Sequence, residues 1–242
     1  VLFVLALYFK DNSIADIAWG PGFVGIAWLI HLRFPAPGFL WAVLPTTFWG
    51  LRLGIYLFLR KIREKREDWR YAAWRQNWGK WFYLRSFLQV FILQGFLMWV
   101  IAMPLLQRPS TQGSLTNLLT GLLLFIFGFL WESIADYQLS RFKRQQKEKG
   151  VFLQTGLWAL SRHPNYFGEI LLWWGIWLIL LPNGFWYISI LSPICITWLL
   201  TRVSGVPMLE DKFRKYPGFE AYAKNTPALI PRFWKKFERD KQ

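Results

Sequence analysis

Two carboxylates four positions apart, Glu132 and Asp136, stand in an otherwise apolar stretch of the chain. In a helix that spacing puts both on one face, so two like charges there call for a donor-rich partner. Hydroxyls or an amide of a ligand would serve, and so would Arg141, Arg144 and Arg162 from nearby segments. A second polar island follows, GLWALSRHPNYFG from Gly156 to Gly168. Pro164 suits the first turn of a new helix, which starts with Asn165 close behind it. Helix starts present unpaired amides to an anion, Arg162 and His163 would add charge, and Glu169 would accept from an amide or hydroxyl. As local chemistry this is a cradle for a cofactor bearing phosphate or carboxylate. Asp16, Arg52, Glu132, Asp136 and Glu169 all lie within apolar runs, where ionisable side chains are costly and face a cavity or a partner. A purely structural role, stapling helices by buried ion pairs, is the competing reading, and such pairs are weak evidence of stabilisation.

The elements that must hold these groups are membrane helices. Of 242 residues 54% are hydrophobic and 20% aromatic, and only 18% are charged, below the roughly 25% usual for a soluble domain. With about 20 residues needed to cross a hydrocarbon core, spans are expected near 13–33, 38–59, 84–104, 115–137, 163–181 and 184–202. The apolar run VLFVLALYF at the start reads as the remnant of a further, clipped helix. The expectation is therefore one all-α, multi-pass domain over 1–242 with seven transmembrane helices. Pro182, Asn183 and Gly184 are expected to turn the last two into a hairpin.

Charge orients this arrangement. Nine basic residues lie between Arg60 and Arg85, five between Arg141 and Lys149 and ten between Arg202 and Lys241, while Arg33 and Arg108 fall on the other side. The positive-inside rule then makes the three clusters and the carboxyl-terminal tail cytoplasmic. Contact with anionic lipid heads accounts for such clusters. The formal charge of +15 could suggest a nucleic-acid binder, but no reading helix or aromatic platform supports one, and no nucleic-acid partner is expected. Most of the 17 Trp are expected as interface anchors or packing. Cys195 is the single cysteine and His31 and His163 the two histidines, so neither a disulfide nor a metal centre is expected. There is no GxGxxG after a strand and no Walker loop, so any nucleotide must be held by transmembrane helices and cytoplasmic loops.

The stretch SRHPNYFGE, preceded by GLW and followed by FEAYAKNTPALIPRF, resembles the carboxyl half of the steroid 5α-reductase family. The whole chain is similar to the bacterial, steroid reductase-like branch of that family, described as a domain of unknown function. The likeness runs from Asn12 to Phe233 and is most specific over WESIADYQLSRFK and SRHPNYFGE, with NSIADIAWG and FWGLRLGIY fitting the same group. The resemblance implies an integral membrane enzyme, in a bacterial inner membrane, that uses NADPH to reduce a carbon-carbon double bond conjugated to a ketone. The substrate would be a lipid-like enone entering from the bilayer, a 3-oxo-Δ4 steroid fitting the family pattern. Membrane lipids are the other expected contact, and no obligate protein partner is inferred.

The family's cofactor positions correspond to Arg52, Glu132, Asp136, Arg144, Asn165 and Glu169, with Glu132 standing where steroid reductases tend to have Asn. Arg162 and His163 join this set from the local chemistry. Tyr216 and Tyr222 in the tail are expected either to clamp a ribose or to pack against the membrane surface. The family holds the substrate ketone with an acid and a Tyr; the acid matches Asp16, and Trp49 falls where the Tyr would be. In that reading a neutral Asp16 donates to the ketone oxygen, Trp49 shares the load, the nicotinamide delivers hydride to the β carbon, and solvent or an unassigned residue supplies the α proton. Gln94 is an extra donor to substrate or a helix-helix contact.

Two rival readings stand beside this one. RHP-x-Y-x-G also occurs in isoprenylcysteine and phospholipid methyltransferases, which bind S-adenosylmethionine in a similar cradle; a methyl transfer, however, needs no ketone acid such as Asp16. A transporter or assembly factor would use the membrane acids for coupling or stapling, although no internal repeat supports the transporter.

Overall fold

The computed structural model describes residues 1–107, 114–146, 150–181 and 186–233, and all regular structure among them is helical. The helices are α1 (Leu2–Tyr8), α2 (Ile14–Arg33), α3 (Leu40–Glu64), α4 (Trp69–Trp78), α5 (Phe82–Arg85), α6 (Leu93–Ile101) and α7 (Met103–Leu106). They continue with α8 (Leu115–Gln145), α9 (Leu157–Leu160), α10 (Pro164–Leu180), α11 (Trp186–Ser189), α12 (Leu191–Trp198), α13 (Val206–Phe213) and α14 (Phe219–Asn225). In a hydrocarbon core every backbone N–H and C=O must find its partner inside the protein, which is why such apolar sequence resolves into helices.

Five helical stretches among the described residues are long and apolar enough to cross a membrane: Ile14–Arg33, Pro37–Glu64, Trp69–Ile101, Leu115–Gln145 and Tyr187–Phe213. Five of the seven expected spans correspond to these stretches; the two others are represented by α1, with 7 residues, and α10, with 17. The expected turn at Pro182–Gly184 lies outside the described residues.

The third stretch differs most from expectation. It begins at Trp69 rather than near 84, running through α4, a 3-10 turn at Gly79–Trp81, α5, a π-helical segment at Ser86–Ile92 and α6. Part of the basic cluster between Arg60 and Arg85 is thus helical and locally neutralised. Arg70 pairs with Asp68 at 2.9 Å and Arg75 with Glu67 at 2.8 Å, and Lys61 pairs with Asp11. Asp68 is the N-cap that starts α4, accepting from the Arg70 amide at 3.0 Å, which satisfies one of the orphan donors of a helix start.

Contacts divide the chain into two compact units, Val1–Leu119 with Ile176–Ser192, and Thr120–Gly175 with Pro193–Gln242. In the first, α2 packs along α3 at glycine contacts: a Cβ on Gly50 would lie 2.5 Å from the Gly20 carbonyl oxygen. Close approach of this kind is how membrane helices gain packing when no hydrophobic gain separates them from lipid. The loop after α3 is fastened to the start of α2, with the Asn12 amide donating to Glu67 at 3.0 Å and the Asp68 amide to the Ser13 hydroxyl at 2.9 Å. Buried Asn12 also donates 2.8 Å to Ser86 at the start of the π segment.

In the second unit α8 and α10 meet along a matched glycine seam. A Cβ on Gly128 would lie 2.5 Å from the Gly168 carbonyl oxygen, and one on Gly175 2.6 Å from that of Gly121. Glu132 and Asp136 follow Gly128 at steps of four, so the seam turns both carboxylates toward α10.

Candidate functional site

Two polar clusters carry the chemistry, one in each unit. The first is built on Asp16, one turn into α2. Its two carboxylate oxygens accept separate short bonds: Oδ1 from the Tyr71 hydroxyl at 2.6 Å and Oδ2 from the Arg70 guanidinium at 2.6 Å. Gln94, on α6, donates to the Tyr71 oxygen at 3.2 Å. Tyr71 is 1% exposed and packs in a small core with Ala15 and Val90, flanked by Trp74, Trp78 and Phe91. Tyr71, Trp74 and Trp78 lie on one face of α4, the two indoles stacked with centroids 5.2 Å apart. That face fixes the ring, so its hydroxyl is aimed rather than free to wander.

Arg70 reaches in the opposite direction as well, its Nε donating to Asp68 at 2.9 Å. Asp68 lies outside the spans; burial alone would push its carboxyl up, but the hydrogen bonds and charge of Arg70, with help from Arg60, hold it below the usual range. A narrow cleft lined by Ser13, Asp16, Arg60, Lys61, Arg66 and Asp68 lies beside this cluster.

Asp16 and Trp49, expected side by side, are not paired in this cluster. Trp49 is fully buried in α3 and packs its ring against Phe23 with centroids 5.7 Å apart; the ring that meets Asp16 is Tyr71. Asp16 is itself the acceptor of two short bonds, one of them from a cation. Gln94 acts on Tyr71, joining α6 to α4 rather than standing apart. Sequence reasoning missed Tyr71 because it sits 55 positions from Asp16 within a basic stretch read as a loop. Asp68 as a cap and aromatic residues at 71, 74 and 78 were the available signal.

The second cluster lies on α8 and α10. Glu132 is 3% and Asp136 5% exposed, on the same face as their spacing requires. Asn165, in the first turn of α10, donates to Asp136 at 3.3 Å. Glu169, one turn further, is half-buried, and Arg144, near the end of α8, is exposed, its Nε directed at the Ser140 carbonyl at 3.3 Å. Arg52 belongs to α3, in the first unit, where it is half-buried.

Arg162 and His163 are engaged otherwise than expected. Arg162 pairs with Glu210 at 2.6 Å and donates to the carbonyls of Ala223 at 2.9 Å and Thr226 at 2.5 Å. Buried His163 places Nε2 3.3 Å from Glu210 and stacks on Tyr166. The backbone is clasped too, the amides of Arg162 and His163 donating to the carbonyls of Pro227 and Ala228 at 2.9 and 3.1 Å. Tyr222, 7% exposed, donates to the Trp158 carbonyl at 2.6 Å, and burial raises its hydroxyl above the ordinary value. Tyr216 packs edge-on against Phe152 with centroids 6.3 Å apart. Arg162, His163 and Tyr222 therefore hold the carboxyl-terminal segment against the Gly156–His163 turn, while Tyr216 packs on Phe152 just before it. Gly156 makes that turn possible with φ of +63°, its following amide donating to Gln138 at 3.0 Å. Glu210, the hub of this clasp, was not singled out in the sequence; it lies 48 positions from Arg162.

Among the described residues no group of His, Cys, Asp and Glu could hold a metal ion. On this face Glu132 and Asp136 are buried acceptors, Asn165 can both donate and accept, and Arg144 is an exposed cation.

An all-helical protein with five membrane-length apolar helical stretches among the described residues, and with carboxylates buried in them, is what fold and sites define. The chain belongs to the family described as protein of unknown function (DUF1295), which matches residues 2–226 and falls within the steroid 5α-reductase-like superfamily. It is also similar to an uncharacterized protein of Schizosaccharomyces pombe, 28% identical over 270 aligned positions that cover 96% of this chain and 76% of the relative.

Proposed function

We propose that the protein is an NADPH-dependent reductase of the carbon-carbon double bond in a lipid-like enone, a 3-oxo-Δ4 steroid being the leading substrate class. The observation that supports it best is the Tyr71–Asp16–Arg70 trio at the amino-terminal end of α2. A phenol held by a carboxylate, with a guanidinium behind it, is a built hydrogen-bond donor for an oxygen that gains negative charge.

When bound, NADPH supplies the hydride that adds to the β carbon. The residues of this chain do the rest. Glu132, Asp136 and Asn165 orient the ribose and carboxamide, Arg144 takes part in holding the phosphates, and Glu169 accepts from an amide or hydroxyl. Tyr71 turns its hydroxyl to the ketone oxygen, Gln94 steadies the phenol oxygen, and Asp16 with Arg70 balances the charge around it. The α proton comes from solvent or from a residue not assigned. In this reading the enone comes from the bilayer, and the basic carboxyl-terminal segment lies on the cytoplasmic face of a bacterial inner membrane.

Methyl transfer from S-adenosylmethionine is the rival, since α10 opens with the RHP-x-Y-x-G pattern. Against it, Arg162 and His163 of that pattern are spent on Glu210 and the tail, and a methyltransferase has no use for the phenol-carboxylate trio. Titration of purified, detergent-solubilised protein with NADPH, NADH and S-adenosylmethionine tests the assignment. Saturable binding of NADPH with no binding of the methyl donor supports it; binding of the methyl donor alone overturns it.

A further inference from the structure

We infer that Arg70 is a positioning residue that locks Asp16 in its carboxylate form, so that Tyr71 alone presents a proton to the substrate oxygen. This rests on the reductase reading and deepens it at the same site.

A phenol has one hydrogen. While Tyr71 gives it to Asp16 Oδ1 at 2.6 Å, none is left for a ketone, and turning it to the ketone strips Asp16 of one of its two donors. A carboxylate so stripped in a poorly hydrated place would take up a proton from water and become a competing donor. Arg70 prevents this. Its Nη2 lies on Asp16 Oδ2 at 2.6 Å, a charge-assisted bond to the oxygen that the Tyr71 hydroxyl does not use.

Arg70 is in turn kept in place from behind. Asp68 Oδ1 receives both its Nε at 2.9 Å and its backbone amide at 3.0 Å, and the Asp68 amide is tied to the Ser13 hydroxyl at 2.9 Å. The guanidinium also lies over the Tyr71 ring, 5.3 Å from its centroid. The cation thus touches acid, phenol and cap together, and its position is set by the helix start rather than by a flexible chain. Lysine, a point charge, could replace the charge but not the bridge between two carboxylates.

Infrared spectroscopy reads the protonation of Asp16 directly and needs no turnover. The difference between native protein and Asp16→Asn at neutral pH should show the loss of a carboxylate band and no protonated-carboxyl C=O band. Arg70→Gln should gain a protonated-carboxyl band that disappears in Arg70→Gln/Asp16→Asn, and Arg70→Lys should gain little of it. A protonated-carboxyl band for Asp16 in the native protein overturns the inference, whatever becomes of the Arg70 variants. So does its absence from folded Arg70→Gln. With an enone and NADPH, Arg70→Gln should lower kcat by roughly tenfold or more with KM for NADPH unchanged, and Arg70→Lys should restore part of it. If native protein turns over no enone, the reductase reading fails while the infrared result still decides the role of Arg70.

Discussion

The hydroxyl of Tyr71 donates to the carboxylate of Asp16 at 2.6 Å across 55 positions of sequence. That bond ties the start of α4 to the first turn of α2. Each residue is ordinary for its own segment, an aromatic on an amphipathic helix and an acid near a helix N-terminus. Their meeting is what turns an apolar helix pair into a site.

Cofactor affinity should depend on the α8–α10 face. Asn165→Ala and Glu169→Ala are each expected to weaken NADPH binding by roughly tenfold, the loss of one or two hydrogen bonds to a polar ligand. Calorimetric titration checks this, with helical content and melting temperature followed in parallel. Unchanged affinity in both folded variants would remove this face from the cofactor site.

Packing at the glycine seam should be intolerant of a single methyl group. A Cβ on Gly168 would lie 2.6 Å from both the Glu132 amide nitrogen and the Gly128 carbonyl oxygen, so Gly168→Ala must push backbone apart and should cost about 1–3 kcal/mol. At Gly25 nothing lies within 4 Å, and Gly25→Ala should be neutral or stabilising, since alanine is the better helix former. Thermal unfolding of the two variants in one detergent makes the comparison.

Acid should loosen the start of α4 through Asp68. Its carboxyl is held below the usual range by Arg70 and Arg60 despite burial. The resulting stability is present above the unfolded value of about 3.9 and is lost as pH falls through the lower, folded value. Melting temperature measured against pH should therefore fall less steeply at the acid end in Asp68→Asn than in the native protein. An acid limb of equal slope in both would exclude Asp68 as a contributor.

Much of this architecture was legible in the chain. The spans near 13–33, 38–59 and 115–137 followed from apolar length, the Glu132 and Asp136 face from a spacing of four, and the α10 start from Pro164, because each depends on neighbours in sequence. Tyr71 and Glu210 were not legible. Their roles come from partners 55 and 48 positions away, and basic residues around Tyr71 disguised a helix as a loop. Trp49 was placed beside Asp16 by alignment of one helix, whereas the ring that meets Asp16, Tyr71, comes from another. Arg162 and His163 were read as anion ligands from local charge, and the carbonyls and the carboxylate that occupy them come from the tail.

Enone-dependent oxidation of NADPH tests the central claim most directly, measured as loss of NADPH absorbance in purified native protein, Tyr71→Phe and Asp16→Asn. The account predicts turnover in the native protein with a 3-oxo-Δ4 steroid or another lipid enone, a fall of roughly 10²-fold in Tyr71→Phe, a clear fall in Asp16→Asn, and retained NADPH binding in both. Turnover undiminished in Tyr71→Phe, or no NADPH oxidation by native protein with any enone, would contradict it.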